Sequence, residues 1–285
     1  MHTSGLFTTC CYTIPVESIK EDYFIVPWSD PHHGHKLFCQ SAWDDFAYWG
    51  KHHPNAYYIG NGDYEDSFRA HTRKTIKDKF EADEQSVIHE ENMRRLGEFE
   101  SLMEFMRGRL IGVGDGNHDW TFADGRNTAQ VIAHDFGCEY LGVMSAIRIT
   151  FDYHGRRSAI TYVQHHGSSS TAQTAGGKFN AVERMARSYD ADIVATGHDH
   201  KKGITWAQTR IKFIVDSKSG QLIPKEYTPL LVRSGACLKM LEPGVATYTV
   251  DRNFAPLALG YNAVRVRISV ADNKMRLKLG AYDIV

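Results

Sequence analysis

The chain has few cysteines: five in 285 residues, at positions 10, 11, 39, 138 and 237. The number is odd, the spacing is irregular and no C-x-x-C pair occurs. Neither a zinc ribbon nor a disulfide framework is suggested, and reduced, mostly buried thiols are expected. A charge excess is also lacking. The 33 Lys and Arg nearly balance the 34 Asp and Glu, for a net charge of −1. No global field draws the molecule to nucleic acid or to an anionic membrane, although a local basic patch stays open. No apolar run approaches the ~20 residues that cross a bilayer. The first 23 residues have neither a basic leader nor an apolar stretch of signal-peptide type, so a cytoplasmic protein with no membrane association is expected. No G-x-x-x-x-G-K-[ST] loop occurs, and no G-x-G-x-x-G follows a strand-like run. A nucleotide-driven ATPase or a dehydrogenase therefore has no support.

Histidine, by contrast, is plentiful, with fifteen copies in a chain that is otherwise of ordinary composition. Five short apolar runs each end in a polar cluster, and a helical pattern usually follows. The runs are "YFIVPWSDPHHGH", "AYYIGNGDYED", "RLIGVGDGNHDW", "AITYVQHHGSSS" and "ADIVATGHDH". Each run is rich in β-formers, as buried strands are. The stretches 37–53 and 178–190 carry apolar residues at helical spacing, notably Phe38, Ala42, Phe46 and Trp49 in the first. Strands alternating with helices imply an α/β fold, in which ligands collect at the carboxyl ends of the strands. All five polar clusters lie there. Beyond Thr205, runs such as "RIKFIVD", "YTPLLVRSG", "ATYTV" and "NAVRVRISV" read as strands, with hairpin signals at "SKSG" and "ADNK". They predict a second, mostly antiparallel sheet packed on the first. No linker separates the parts, so one domain over 1–285 is expected, with a charged helical insertion at about 68–107.

The clusters supply mixed donors. Asp30 and His32 stand two residues apart. Gly62-Asp63-Tyr64-Glu65-Asp66 offers carboxylates in a tight turn. Asn117, His118 and Asp119 offer an amide oxygen, an imidazole and a carboxylate. His165 and His166 end the fourth run, and His198-Asp199-His200 ends the fifth. A lone H-x-H arises by chance in surface loops. The ordered set D-x-H, GDxxD, GNHD, His-Gly and GHxH from Asp30 to His200 resembles the calcineurin-like metallophosphoesterase superfamily.

That resemblance implies a four-layer α-β-β-α sandwich: two packed mixed β-sheets flanked by helices. It implies two divalent metal ions, with Mn first and Zn, Fe or Mg as alternatives. Asp30, His32 and His200 would hold one, Asn117, His166 and His198 the other, and Asp63 would bridge them. Two such ions about 3.5–4 Å apart can clamp the attacking and leaving oxygens of a phosphoryl displacement, with a bridging hydroxide as nucleophile. Asp63 and His118 are the catalytic candidates. His118 matches the family histidine over the phosphate, where it stabilises the transition state or protonates the leaving oxygen. The family places its ligand directly before Gly, which selects His166 over His165. Asp66 and Asp119 read as supports that orient an imidazole or brace a loop. Gly62, Gly116 and Gly197 are expected to let the backbone turn sharply and leave room for cations. His33 and His35 lie near the site without matching a ligand position.

The substrate is less defined. Ser67 stands where family protein phosphatases carry Arg. The GNHD ending and the D-x-H-x-G start resemble the nuclease-type branch, although too little chain follows His200 for that branch's capping domain. A phosphodiesterase or nuclease acting on DNA or other nucleic acid is the first reading. The alternative is a small-molecule phosphoesterase for nucleotides, cyclic nucleotides or phospholipid precursors, and a non-catalytic scaffold is a third. Arg69, Arg73 and Lys74 in the basic start of the helical insertion, and Ser168 after His166, are the candidate substrate contacts. Lys201 and Lys202 stand beside the last motif.

Overall fold

The computed structural model describes residues 2–4, 7–66, 82–167, 176–216, 219–240 and 257–284. In chain order, strands β1 (His2–Ser4), β2 (Phe7–Pro15) and β3 (Tyr23–Trp28) precede helix α1 (Gln40–His52). Strand β4 (Ala56–Asn61) is followed by helix α2 (Ala82–Leu102), a 3₁₀ turn at Glu104–Met106 and β5 (Leu110–Gly114). Helix α3 (Thr128–Phe136) leads to β6 (Glu139–Gly142), β7 (Met144–Tyr153) and β8 (Arg156–His165). A second 3₁₀ turn, Gly176–Phe179, runs into α4 (Asn180–Ser188) and then β9 (Ile193–Thr196). The rest is β: β10 (Lys202–Trp206), β11 (Arg210–Val215), β12 (Leu222–Tyr227), β13 (Leu230–Ser234), β14 (Tyr261–Ala271) and β15 (Lys274–Ile284).

Two mixed sheets form an α/β sandwich. One has the order β15-β14-β3-β4-β5-β6 and the other β1-β2-β7-β8-β9-β13-β10, while β11 and β12 make a separate hairpin. The period-2 alternation of the strands explains the layering. Phe24, Val26 and Trp28 of β3 pack with Trp43 and Phe46 of α1, Leu96 and Phe99 of α2, and Ile132 of α3. Ile25, on the opposite face of β3, packs with Ile147, Ile149 and Phe151 of β7 and Ile193 of β9 in the core between the sheets. On the far side, Val163, Val194 and Leu231 receive Val182 and Ala186 of α4. Among the described residues, three helices thus cover one sheet and one helix covers the other.

The expected second sheet built from the C-terminal strands is not what forms. Strands β10 and β13 extend the sheet of β8 and β9, with β13 parallel to β9, whereas β14 and β15 join β3. The five motif-bearing strands are likewise divided, three in one sheet and two in the other. Strands β13 and β14 are apolar enough to pair with β9 and β3 and cover their edges, whereas β11 and β12 pair with each other. The hairpin expected at "ADNK" is present, with Asp272 and Asn273 at positive φ. The run "ATYTV" and residues 68–81 of the helical insertion lie outside the described residues. No helix of the described chain is long and apolar enough to cross a membrane.

Candidate metal centre

The strand ends of both sheets meet at one edge of the sandwich, and the polar clusters meet with them. Asp30 and His32 follow β3, Asp63 and Asp66 follow β4, Asn117, His118 and Asp119 follow β5, His166 follows β8, and His198 and His200 follow β9. Eight non-glycine residues among those described have positive φ, and five of them are Asp30, His32, Asp63, His198 and His200, at 51–69°. Each such backbone costs roughly 1–3 kcal/mol and persists only where the surroundings over-determine it. Five at one edge mark a place where side-chain direction outweighs backbone comfort.

Asp30, His32 and His200 bring ligand atoms within 4.8 Å of one another, and so do Asp63, His166 and His198. In the first group, His32 Nε2 and His200 Nε2 lie 3.2 Å apart and face Asp30 Oδ1 at 3.7 and 3.5 Å. In the second, His166 Nε2 lies 3.2 Å from Asp63 Oδ2 and 3.0 Å from Asn117 Oδ1. His198 Nδ1 stands 2.7 Å from the same amide oxygen. The two groups are joined at Asp63, whose Oδ2 is also 3.7 Å from His32 Nε2.

The ligand side chains are held from behind. His166 Nδ1–H donates to the Asn61 carbonyl at 2.6 Å, which leaves Nε2 as the atom that faces Asp63. His165 points elsewhere, its Nδ1 accepting from Gly167 N–H. Asp30 Oδ2 accepts from His198 N–H at 2.9 Å and from the Ser29 hydroxyl. Asp63 Oδ1 accepts from His118 N–H at 2.8 Å. The free oxygens of both aspartates therefore point into the cluster. Gly62 makes the sharp turn expected of it, at φ 91°, but Gly116 and Gly197 work differently from expectation. A Cβ on Gly116 would lie 2.2 Å from Asp63 Oδ1, and one on Gly197 would lie 2.7 Å from Asp30 Oδ2. Their bareness makes room for the carboxylates rather than for an ion.

Electrostatics follow from burial and proximity. Burial opposes the charge on Asp30, but His32, His166 and His200 hold its carboxyl down at about 2. Asp63 is pulled well below the usual carboxylate range by His166, against the cost of burial. Burial disfavours the His166 imidazolium, yet Asp63 and Asp30 lift it to about 10. Burial lowers His200 to about 4. Asp30, His32, Asp63 and His166 form a buried floor, and Asn117, His118 and His198 stand at the more open side.

The supports stand close by. Asp66 Oδ1 lies 3.2 Å from His118 Nδ1, and its other oxygen lies 3.7 Å from His32 Nδ1. His118 Nε2 is then 4.0 Å from Asp63 Oδ2. Asp119 accepts from Gly116 N–H at 3.0 Å, and burial raises its carboxyl well above the usual range. His33 stacks on Phe99 and His35 caps its own turn at Leu37 N–H, so neither joins the cluster. Cys39 and Cys237 are buried free thiols outside the metal-capable groups found among the described residues. Arg69, Arg73, Lys74 and Ser168 lie outside the described residues. Two partners of the site are not foreseen from the motifs. The Asn61 carbonyl has no sequence signal, because any residue offers one. Arg233 is buried and paired with Asp199, inside the GHDH motif but 34 positions away along the chain; a lone basic residue in an apolar run, "LLVRSG", is its only trace.

Comparison with protein-family models finds no match, and neither does comparison with curated proteins. Among solved structures, the chain is similar to the calcineurin-like phosphoesterase YfkN of Bacillus subtilis, at 12% identity and a TM-score of 0.41, over 92% of this chain and 91% of that one. It is also similar to Vacuolar Protein Sorting 29 of Cryptosporidium parvum, at 13% identity and a TM-score of 0.36, over 92% and 98%. A third is a conserved protein of Streptococcus pneumoniae TIGR4 described as a predicted phosphoesterase, at 12% identity and 0.31, over 91% and 99%. At these values the likeness carries no argument about chemistry, which rests on the site's own residues.

Proposed function

We propose that this chain is a dinuclear metal-dependent phosphoester hydrolase of calcineurin-like type, and that it cleaves phosphodiesters, with DNA or other nucleic acid as the first substrate class. One observation carries the reading: a buried set of acceptors aimed at one another. Among the described residues, Asp30 Oδ1 has no hydrogen-bond partner. With Nδ1 of His166 spent on a carbonyl, its Nε2 faces the oxygens of Asp63, Asn117 and Asp30 and the ring nitrogen of His198. Against the cost of burial, the charge of Asp63 and Asp30 holds a proton on His166, and a cation bound among these donors would take that proton's place. The donor set, imidazole with carboxylate and amide oxygen and no thiolate, suits Mn, Zn, Fe or Mg, with Mn the first choice.

Asp30, His32 and His200 would hold one cation, Asn117, His166 and His198 the second, with Asp63 shared. Bound there, the cations would supply Lewis acidity toward water and the phosphoryl oxygens. The chain's own residues do the rest. The Asn61 carbonyl fixes the tautomer and direction of His166. Asp66 accepts from His118 Nδ1–H and turns Nε2 toward the open side. There it can donate a proton to a departing alkoxide or a hydrogen bond to a phosphoryl oxygen. Asp119 clamps the Gly116 turn that presents Asn117 and His118. The resemblance of GNHD and D-x-H-x-G to the nuclease-type branch supports the diester assignment.

The test is a paired assay on protein reloaded with Mn²⁺. Metal content should approach two per chain. Bis(p-nitrophenyl) phosphate and single-stranded DNA should be hydrolysed faster than p-nitrophenyl phosphate. Asp63→Asn should lose both metal and activity, more severely than His32→Ala. Full metal content in Asp63→Asn, or a preference for the monoester, would sink the corresponding half of the proposal.

A further inference from the structure

Beside the metal cluster, on the outer face of the sheet that carries β9 and β13, lies a group of cations that the reaction scheme above does not use. Asp199, between His198 and His200, pairs with the Arg233 guanidinium and with Lys201 Nζ at 3.1 Å. Arg233 also donates to the Gly197 carbonyl at 3.3 Å, but its Nε is buried with no hydrogen-bond partner among the described residues. The turn Gly176–Phe179 brings a further cation, Lys178, to this group. Its ammonium rests on Gly203, where a Cβ would stand only 2.8 Å from Nζ. Gly203 is the cross-strand neighbour of Arg233 in the β10–β13 pair. Glycine at 203 thus leaves the space through which Lys178 reaches the strand. No carboxylate among the described residues pairs with Lys178, and its remaining neighbour of note is the Phe179 ring, 5.8 Å from Nζ to the centroid. Lys202, by contrast, is spent on Asp283 and on the Ile284 carbonyl. Burial, and then the positive charge of Arg233, lower the Lys178 pKa, with Asp199 opposing. Asp199 already answers Arg233, so Lys178 is the cation of the group left without a carboxylate among the described residues, and an anion there would offset the cost of its partial burial.

We propose that Lys178, with Arg233 and Lys201 behind it, forms an anion subsite that takes a phosphate adjacent to the scissile one, so that the substrate carries at least two phosphates. This rests on the phosphoesterase reading of the metal cluster next to it. Lys178 is the direct donor. Arg233 holds the GHDH turn through Asp199 and Gly197 and adds its charge to the field that the second phosphate meets. The occupant's chemistry is a phosphoryl anion, which a nucleic-acid strand or a free nucleoside diphosphate could each present.

Binding and turnover separate the possibilities. Fluorescein-labelled trithymidylate with phosphorothioate linkages is titrated into the full-length protein with Mn²⁺, and thymidine 5′-diphosphate is used as competitor. Lys178→Gln should weaken strand binding about tenfold and flatten its dependence on log salt by roughly 0.7, the loss of one single-strand contact. Lys178→Arg should restore most of both. If Lys178→Gln weakens the diphosphate by the same factor, the subsite serves free nucleotides; weakening of the strand alone assigns it to nucleic acid. In turnover, Lys178→Gln should lower the ratio of kcat/KM for a trinucleotide over that for bis(p-nitrophenyl) phosphate about tenfold. Unchanged affinity for both ligands, or an unchanged ratio, overturns the subsite. Absence of metal-dependent hydrolysis in the parent protein, with Lys178-dependent binding intact, would remove the enzymatic reading and leave the subsite standing.

Discussion

At the residue scale, His118 and Asp66 separate two roles that are often merged. Asp66 sits against Nδ1 of His118, and Nε2 is the nitrogen assigned here to the substrate. A proton donor matters most for a poor leaving group, since a nitrophenolate departs unprotonated and a ribose alkoxide does not. His118→Asn should therefore keep its metals and lose about 10²–10⁴-fold in kcat on a DNA strand, with a much smaller loss on bis(p-nitrophenyl) phosphate. An equal loss on both would show electrostatic stabilisation instead of proton transfer. Loss of metal, read by elemental analysis, would make His118 a structural support. The seven residues proposed as ligands are legible in the sequence because D-x-H, GDxxD, GNHD, His-Gly and GHxH place unusual donors at strand ends. What holds them is not. Asn61 acts through its backbone, Ser29 acts through its neighbour Asp30, and Arg233 acts through contacts that exist only after distant strands pair.

At the scale of elements, legibility follows apolar pattern and breaks where that pattern is diluted. Helix α1 is readable from Phe46 and Trp49. Helix α3 is not, although Asn127 and Gln130 form a capping box and Gly137 ends it in the left-handed region; nine residues offer too short a window for periodicity, and the capping signal stands alone. Strands β2 and β7 are obscured because Thr and Cys interrupt the run "FTTCCYTIP" and single polar residues interrupt "MSAIRITFDY". Helix α2, expected as a charged arm, also packs Leu96 and Phe99 into the core. That burial has a consequence at Glu100. Its environment, through burial and then the like charge of Asp135, raises the carboxyl to about 7, with Arg107 opposing. The folded state then holds the proton more tightly than the unfolded chain does. The associated stability is complete below the unfolded value of about 4.5 and is lost as pH rises through about 7. Glu100→Gln, a substitution of similar helix propensity, removes that loss. Its gain over the parent in urea denaturation should grow from near zero at pH 4.5 to on the order of 1 kcal/mol at pH 8, after discounting for partial exposure. A gain that is the same at both pH values would exclude titration of Glu100 as the cause.

At the scale of the whole molecule, the candidate metal centre is a junction between sheets. Asp30, Asp63 and Asn117 come from the ends of β3, β4 and β5, and His166, His198 and His200 from the ends of β8 and β9. Those two sets belong to different sheets. Between the sheets lies a mainly apolar core, whereas at the junction polar contacts gather and the backbone is strained at five positions. Without cations, protons on imidazoles such as His166 must balance the buried carboxylates. With cations, each ion would tie both sheets together and bind the folded state alone, so it should stabilise by mass action. At a free metal concentration 100 times the dissociation constant, one site contributes about 2.7 kcal/mol. For a chain of this length, each kcal/mol moves Tm by roughly 2–4 °C. Adding Mn²⁺ to chelator-treated protein should therefore raise Tm by roughly 5–10 °C for the first site filled. Asp63→Asn removes the shared ligand and should suppress most of that rise. His118→Asn leaves every proposed ligand in place and should retain it. Scanning calorimetry over a Mn²⁺ series distinguishes this from nonspecific ion effects, because Ca²⁺, which prefers six to eight oxygen ligands, should raise Tm far less at this histidine-rich site. An equal response to both ions, or an undiminished response in Asp63→Asn, would mean that the ions act elsewhere and that the two sheets are not joined through them.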